Sequence, residues 1–440
     1  MLDANLKIIA ELKEFITIVS NKRELLDKFC TSSSDFTRVR KLPFDRLTLL
    51  IAKLCKKTLS IELEGFFKEI NGPEACSVSA FSQQRSKLEP AFFEWWNTLL
   101  WASYYRYYGD AAKRWKGYRI IAADGSSISL VNNPALSKYF GGQSNQQTDF
   151  VLAKTFYHYD VLNELVLFAQ IKPYRNSELA IAYESFSCLD EDMVTVYDRY
   201  FSNYKMVALH LWQEKERKFV IRAQERQNMV KAFIKTGAYS SIVYMKPTPE
   251  AIKAMDKSGF KVTKNTLLKV RLVRVDLPAS VEVLMTNLWE EEGHCADEFK
   301  ELYFMRWGVE TNISVQKNIL QLESFSGLTV HAVLQDFHAT VMVTNLHSVL
   351  IKDAQSTVEK TKRFCKYPVK INKNKSAGKL KAILVSLFLN DDPESILIKL
   401  HSHFIRDVIP IRKGRSFKRQ RKNVHSKSKH KTFSNFKPSF

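Results

Sequence analysis

The sequence predicts an α/β fold: a mixed sheet with helices, interrupted by a β-rich insertion and preceded by a helical region. Three observations predict it. Short apolar strands alternate with helices between residues 119 and 222, helical periodicity fills the chain before residue 95 and after residue 291, and strand-like alternation dominates the stretch between. With 440 residues, 45% of them hydrophobic, the chain can bury more than one core. The expected divisions are a helical region at 1–95, a sheet domain whose first part is 96–223, the insertion at 224–290, the second part of the sheet domain at 291–400, and a basic tail at 401–440.

Leu6 to Val19, Leu47 to Lys57 and Ser60 to Ile70 each repeat apolar residues every three or four positions, the period of a helix with one buried face. Cys76 to Leu88 reads as a Ser-capped helix carrying Gln83, Gln84, Arg85 and Lys87, a composition that fits either contact with DNA or an ordinary polar surface helix. Past Phe92-Phe-Glu-Trp-Trp96 the period changes. Arg119-Ile-Ile-Ala-Ala-Asp124 is a short apolar run ending in a carboxylate, and Phe150 to Tyr159 pairs with Leu165 to Ile171 as a hairpin around Asn163-Glu164. A helix at Ser177 to Ser187 leads to a second apolar strand, Met193-Val-Thr-Val-Tyr-Asp198, again closed by aspartate, and Lys218 to Arg222 adds another. Within the insertion, Leu267 to Val275 alternates cleanly and Val281 to Thr286 is its expected partner. Helices then resume to about Leu400, and Val341 to Ile351 reads as a buried helix rather than a membrane span because Asn345 and His347 interrupt it.

Lys and Arg total 67 against 46 Asp and Glu, a formal net charge of +21 that points to a polyanionic partner. Eleven of those cations lie between Arg412 and Lys437 with no acid among them, interleaved with Phe417, Phe433 and Phe436. Such a tail is either a solvated extension or a phosphate-binding arm. The six cysteines are scattered without zinc-ligand spacing and read as reduced thiols of a cytoplasmic protein. No basic-then-apolar leader pattern opens the sequence and no G-x-x-x-x-G-K-[ST] loop occurs, so neither secretion nor P-loop nucleotide hydrolysis is expected.

The candidate chemistry rests on three carboxylates. Asp124 and Asp198 each follow an apolar strand, where an aspartate is either a turn residue or a group that the sheet holds rigidly at its edge. The third, Glu310, lies in Tyr303-Phe-Met-Arg306-Trp-Gly-Val-Glu310-Thr-Asn-Ile-Ser-Val-Gln-Lys317. At about 100° per residue, one continuous helix would carry Tyr303, Arg306, Glu310 and Lys317 on a single narrow stripe, with Met305, Val309, Ile313 and Leu320 on the adjoining face. A surface helix with an Arg306–Glu310 ion pair explains part of that pattern. Together the carboxylates would form an oxygen-rich site suited to Mg²⁺. Trp289 and Trp307 are candidates for stacking on a base or for core packing, and His331, His338 and His347 read as structural.

The spacing Tyr-x₂-Arg-x₃-Glu-x₆-Lys resembles the YREK signature of the insertion-sequence-four type of DDE transposases of bacteria. The resemblance extends to Asp124-Gly-Ser, to Asp198-Arg-Tyr-Phe, to Ser79–Leu88 and to Tyr367-Pro-Val-Lys-Ile-Asn372, covering roughly residues 76–420. It implies an RNase H-like catalytic core, a metal-binding triad of Asp124, Asp198 and Glu310, and Tyr303, Arg306 and Lys317 as holders of transposon-end phosphates. It further implies two Mg²⁺ ions, for which Mn²⁺ would substitute, and double-stranded DNA as the substrate at both element end and target. A homodimer in the DNA complex, cut-and-paste chemistry and a nucleoid-associated location are also expected. Gln83, Arg85 and Lys87 are the expected DNA contacts of the N-terminal region. One departure is Tyr200, where family members often have Gly. Two rival expectations remain: an RNase H-like nuclease that does not join strands, and an inactive DNA-binding relic.

Overall fold

The computed structural model describes residues 2–412 apart from 39, 73, 145–148, 279 and 362–364, together with Lys437. The remainder of the basic tail lies outside the described residues. The first part is helical: α1 (Leu2–Asn21), α2 (Arg23–Leu26), α3 (Phe44–Ala52), α4 (Leu59–Glu69), α5 (Val78–Arg85) and α6 (Ala91–Tyr108). The Ser77 hydroxyl accepts from the Ala80 N–H and starts α5, as its sequence leads one to expect.

The sheet then follows. Strand β1 (Arg119–Ser129) leads through α7 (Pro134–Phe140) and β2 (Gly142–Ser144) to the hairpin β3 (Asp149–Asp160) and β4 (Leu165–Pro173). Helix α8 (Glu178–Glu184), β5 (Met193–Tyr197), α9 (Tyr204–Leu211) and β6 (Lys218–Arg222) complete the first part. The order β4-β3-β1-β5-β6, with β1, β5 and β6 parallel and β3 antiparallel to β1, is that of an RNase H-like core. Ile120 to Ala123 are fully buried on both faces, which explains why this stretch reads as a continuous apolar run.

The insertion holds α10 (Asn228–Thr236), β7 (Ser240–Met245), α11 (Pro249–Asp256), β8 (Leu268–Leu277) and β9 (Ser280–Thr286). The expected β8–β9 hairpin forms. The insertion is not a separate β unit, however: β9 pairs with β6, so its strands extend the same sheet in the order β6-β9-β8-β7, and two helices cover one face. The chain ends in α12 (Phe299–Phe304), α13 (Trp307–Ser314), the long α14 (Val330–Thr361), β10 (Val369–Ile371), α15 (Lys373–Leu389), α16 (Pro393–Arg406) and β11 (Val408–Pro410), which pairs with β10.

Two expected boundaries are crossed. Helix α6 runs through residue 95 and buries Phe92, Phe93 and Trp96 in a core shared by α1, α3, α14, α15 and α16. The N-terminal helices are therefore one half of a helical layer whose other half comes from the C-terminal part, because neither set alone can cover its apolar faces. Helix α16 likewise runs through residue 400. Among the described residues no helix is long and apolar enough to cross a membrane.

Candidate active site at the sheet edge

Asp124 and Asp198 meet because of register. Ala123 lies opposite Tyr197 in the parallel β1–β5 pair, so each aspartate is the next residue on strands about 4.8 Å apart. Asp124 does not end its strand, as the apolar run implied. Strand β1 continues to Ser129 because β3 remains its partner after β5 has turned away. Asp198 instead leaves β5, and its Oδ1 accepts the Tyr200 N–H at 2.7 Å to cap a short 3₁₀ turn. Tyr200 is 46% exposed, so the departure from Gly costs no packing.

The segment carrying Glu310 departs from the single helix expected of it. Arg306, Gly308 and Val309 donate their N–H groups to the carbonyls of Tyr303, Met305 and Arg306, a tightened i→i+3 turn between α12 and α13. Val315–Ile319 then widens into a π-helix. The tight turn lets Gly308 approach Val161, where an added Cβ would come within 3.0 Å of Cγ1. The apolar sector is divided accordingly: Val309 and Ile313 pack with β1, β3 and α14, Met305 against β5, β6 and β9, and Leu320 against the helical layer.

Two polar residues of the segment, Arg306 and Lys317, nevertheless reach β1. Arg306 is 7% exposed; its Nη2 donates to Glu310 Oε1 at 2.8 Å, and its Nη1 lies 3.6 Å from Asp124 Oδ2. Lys317 Nζ donates to Ser126 Oγ at 3.0 Å and to the Ser127 carbonyl at 2.6 Å, with Glu323 at 4.0 Å. Burial pulls the Lys317 ammonium down, against the pull of Glu323. Tyr303 is pushed up to about 12 by burial, against the opposing charges of Arg306 and Arg222, so its hydroxyl stays protonated and can donate.

Asp124 lies in a strongly desolvating position. Burial pushes it up to about 6; the Gly125 N–H, 2.8 Å from its Oδ1, and Arg306 act against this, while the negative fields of Asp198 and Glu310 add to it. Among the described residues no three His, Cys, Asp or Glu side chains stand close enough to grip a metal ion. Arg306 is interposed between two of the three expected ligands. The donor chemistry still fits a hard divalent cation, since Asp124, Asp198 and Glu310 are all oxygen acids and the fields of the other two reach Asp124.

The remaining sequence expectations divide. Arg85 is 4% exposed, and its guanidinium donates to Gln335, Ser326, the Ala332 carbonyl and Asp336. It ties α5 to α14 rather than facing solvent, because polar residues on a short helix reach inward as readily as outward. Gln83 is exposed and Lys87 half-buried, and both line a cavity of about 460 Å³ with Arg40 and Lys41. Trp307 is 47% exposed beneath the Arg306 guanidinium, and Lys269 lies over Trp289. His338 and His347 are buried on α14.

Sequence reasoning missed Arg222, which ends β6 much as Asp198 follows β5 and pairs with Glu282 at 2.8 Å beside Tyr303. A charged residue closing an apolar strand was the available signal. Lys154 and Glu178, which bracket Gly125 and Ser127 on the opposite sheet face, had no signal: only the fold joins them.

Residues 115–346 match the family described as the transposase DDE domain. The chain belongs to that family. The matched span opens four residues before β1 and closes within α14, so it contains both aspartates, Glu310 and the whole insertion. A putative transposase, InsZ, of Escherichia coli (strain K12) is 25% identical over 135 residues, which is 30% of this chain and 44% of that relative. The matched stretch thus spans less than half of the relative. Among solved structures, a piggyBac transposase synaptic complex with hairpin DNA matches at 12% identity and a TM-score of 0.42, covering 90% of this chain and 82% of that one.

Proposed function

We propose that this DDE-domain chain is an insertion-sequence-four type transposase that cuts and joins DNA at Asp124, Asp198 and Glu310, with two Mg²⁺ ions held by those carboxylates. The observation that supports the reading is Arg306, which pairs with Glu310 and lies 3.6 Å from Asp124, with Asp198 following the strand beside β1. Bound divalent ions would supply Lewis-acid activation of a water or 3′-hydroxyl and neutralise the leaving oxygen, and Mn²⁺ would serve in place of Mg²⁺. Arg306 holds Glu310 until a phosphodiester arrives, then exchanges the carboxylate for a phosphate oxygen and frees Glu310 as a ligand. Tyr303 donates its phenolic proton to the same strand. Lys317, anchored on Ser126 and Ser127, fixes the β1 backbone beside Asp124 and presents its remaining N–H to the phosphate.

Attack on phosphorus by water and by a 3′-hydroxyl needs the same donors, so one site serves cleavage and joining. The double-stranded element ends are engaged through Gln83 and Lys87 with Arg40 and Lys41, and two chains pair the two ends. The basic tail adds phosphate contacts. With a supercoiled donor plasmid and Mg²⁺ or Mn²⁺, Asp124→Asn and Glu310→Gln are expected to abolish cleavage; wild-type rates in either variant would sink the triad. Pre-cut ends with a target plasmid should give joined product, whereas hydrolysis alone would identify a nuclease.

A further inference from the structure

A cavity of about 380 Å³ opens where the β3–β4 turn meets α14 and β10. Its charged lining among the described residues is Lys113, Lys352, Lys370 and Lys373 against Glu164 and Glu359. Both acids already have partners. Glu164 pairs with Lys373 at 2.5 Å, and Glu359 accepts from Gln355 Nε2 at 3.1 Å. Lys113, Lys352 and Lys370 have no ion pair among the described residues. The Lys352 ammonium donates to Asn163 Oδ1 at 2.6 Å and to the Tyr104 hydroxyl, two neutral acceptors, so one of its three donors remains for the cavity.

Four ammonium groups against two carboxylates leave the lining with a surplus of two positive charges, which an anion in that space would offset. Burial, then the charge of Lys113, pulls Lys352 down to about 8, against the opposing pull of Asp160 and Glu164. A second cavity of about 130 Å³ shares Glu164, Ser348 and Lys373 with the first and reaches Gly308, Thr311 and Asn312 on α13. Asn312 is 5% exposed, and its Nδ2 has no hydrogen-bond partner. A buried donor without an acceptor is costly, so an acceptor-rich ligand is what the pair of cavities lacks.

We propose that this cavity binds a phosphoryl group through Lys113, Lys352 and Lys370, at a site separate from Asp124, Asp198 and Glu310. Lysine is a point-charge binder of phosphate, and the volume lies in the range of small-ligand sites. The phosphoryl group comes either from a free phosphate ester or from a DNA backbone that passes this side of the helical layer. The proposal does not depend on cleavage activity.

The test uses the full chain in metal-free buffer, titrated with inorganic phosphate and pyrophosphate at constant ionic strength while thermal unfolding is followed. Saturable stabilisation that Lys352→Met and the more exposed Lys113→Ala and Lys370→Ala each weaken at least tenfold identifies a free phosphate ligand. A wild-type chain indifferent to both anions, but whose affinity for a duplex of arbitrary sequence falls with Lys113→Ala and Lys370→Ala, with a salt slope shallower by about one per lost contact, identifies the DNA backbone as the source. The alanine variants keep the test valid if Lys352→Met fails to fold. No saturable anion effect together with unchanged duplex affinity and salt slope overturns the proposal. Loss of cleavage in Glu310→Gln with the anion response intact separates this site from the catalytic one.

Discussion

Two buried arginines separate the part of the molecule that holds shape from the part arranged to change partners. Arg85, where α5 meets α14, and Arg306, at the sheet edge, are 4% and 7% exposed and each faces a carboxylate. Arg85 is saturated, with every guanidinium nitrogen donating. Its carboxylate partner is equally served. Burial alone would push Asp336 up, but Arg85, Lys56 and the Ser326 N–H and hydroxyl hold it below the ordinary range. Arg306 leaves Nε without a partner, reaches Asp124 only at 3.6 Å and shares Glu310 with solvent, while Asp124 is driven the other way. A satisfied buried ion pair marks architecture, and an unsatisfied one marks a place where another charged group belongs.

Stability gives the largest expected difference between the two. Arg85→Met strands the Asp336 carboxylate in the interior and is expected to cost about 3–5 kcal/mol in urea unfolding. Arg306→Met leaves Glu310, already 38% exposed, free to hydrate and should cost no more than about 1 kcal/mol. Equal losses would break the comparison.

A smaller effect concerns Asp124. Its folded carboxyl titrates at about 6 against an ordinary 3.8, so it favours folding while protonated and loses that contribution as pH rises through about 6. At pH 7.5 without metal, Asp124→Asn should therefore be more stable than wild type by on the order of 1–3 kcal/mol. The gap should close as pH falls toward 4. A variant less stable than wild type at pH 7.5 would mean that the Asp124 carboxylate is already compensated.

The sequence made the strands legible wherever burial was complete. The apolar runs before Asp124 and Asp198 are direct consequences of two-sided burial, and Ser77 announced its helix by capping it. Less was legible where tertiary packing overrode local period. The Tyr303–Lys317 segment reads as one helix, yet the approach of Gly308 to Val161 and the π-turn at Val315–Ile319 bend it onto β1. Arg85 looked like a surface cation because its partners lie some 250 residues away on α14. The joining of the N-terminal and C-terminal helices into one layer has no local signature at all.

The central claim is that Asp124, Asp198 and Glu310 form a cation site from which Arg306 must withdraw. It is tested most directly by titrating Mn²⁺ into the DNA-free protein at pH 7.5 and following the free-ion paramagnetic signal. Wild type should bind, Asp124→Asn should lose that binding, and Arg306→Met should bind more tightly than wild type because the competing guanidinium is gone. Mn²⁺ binding unchanged by Asp124→Asn, or weakened by Arg306→Met, would contradict the account.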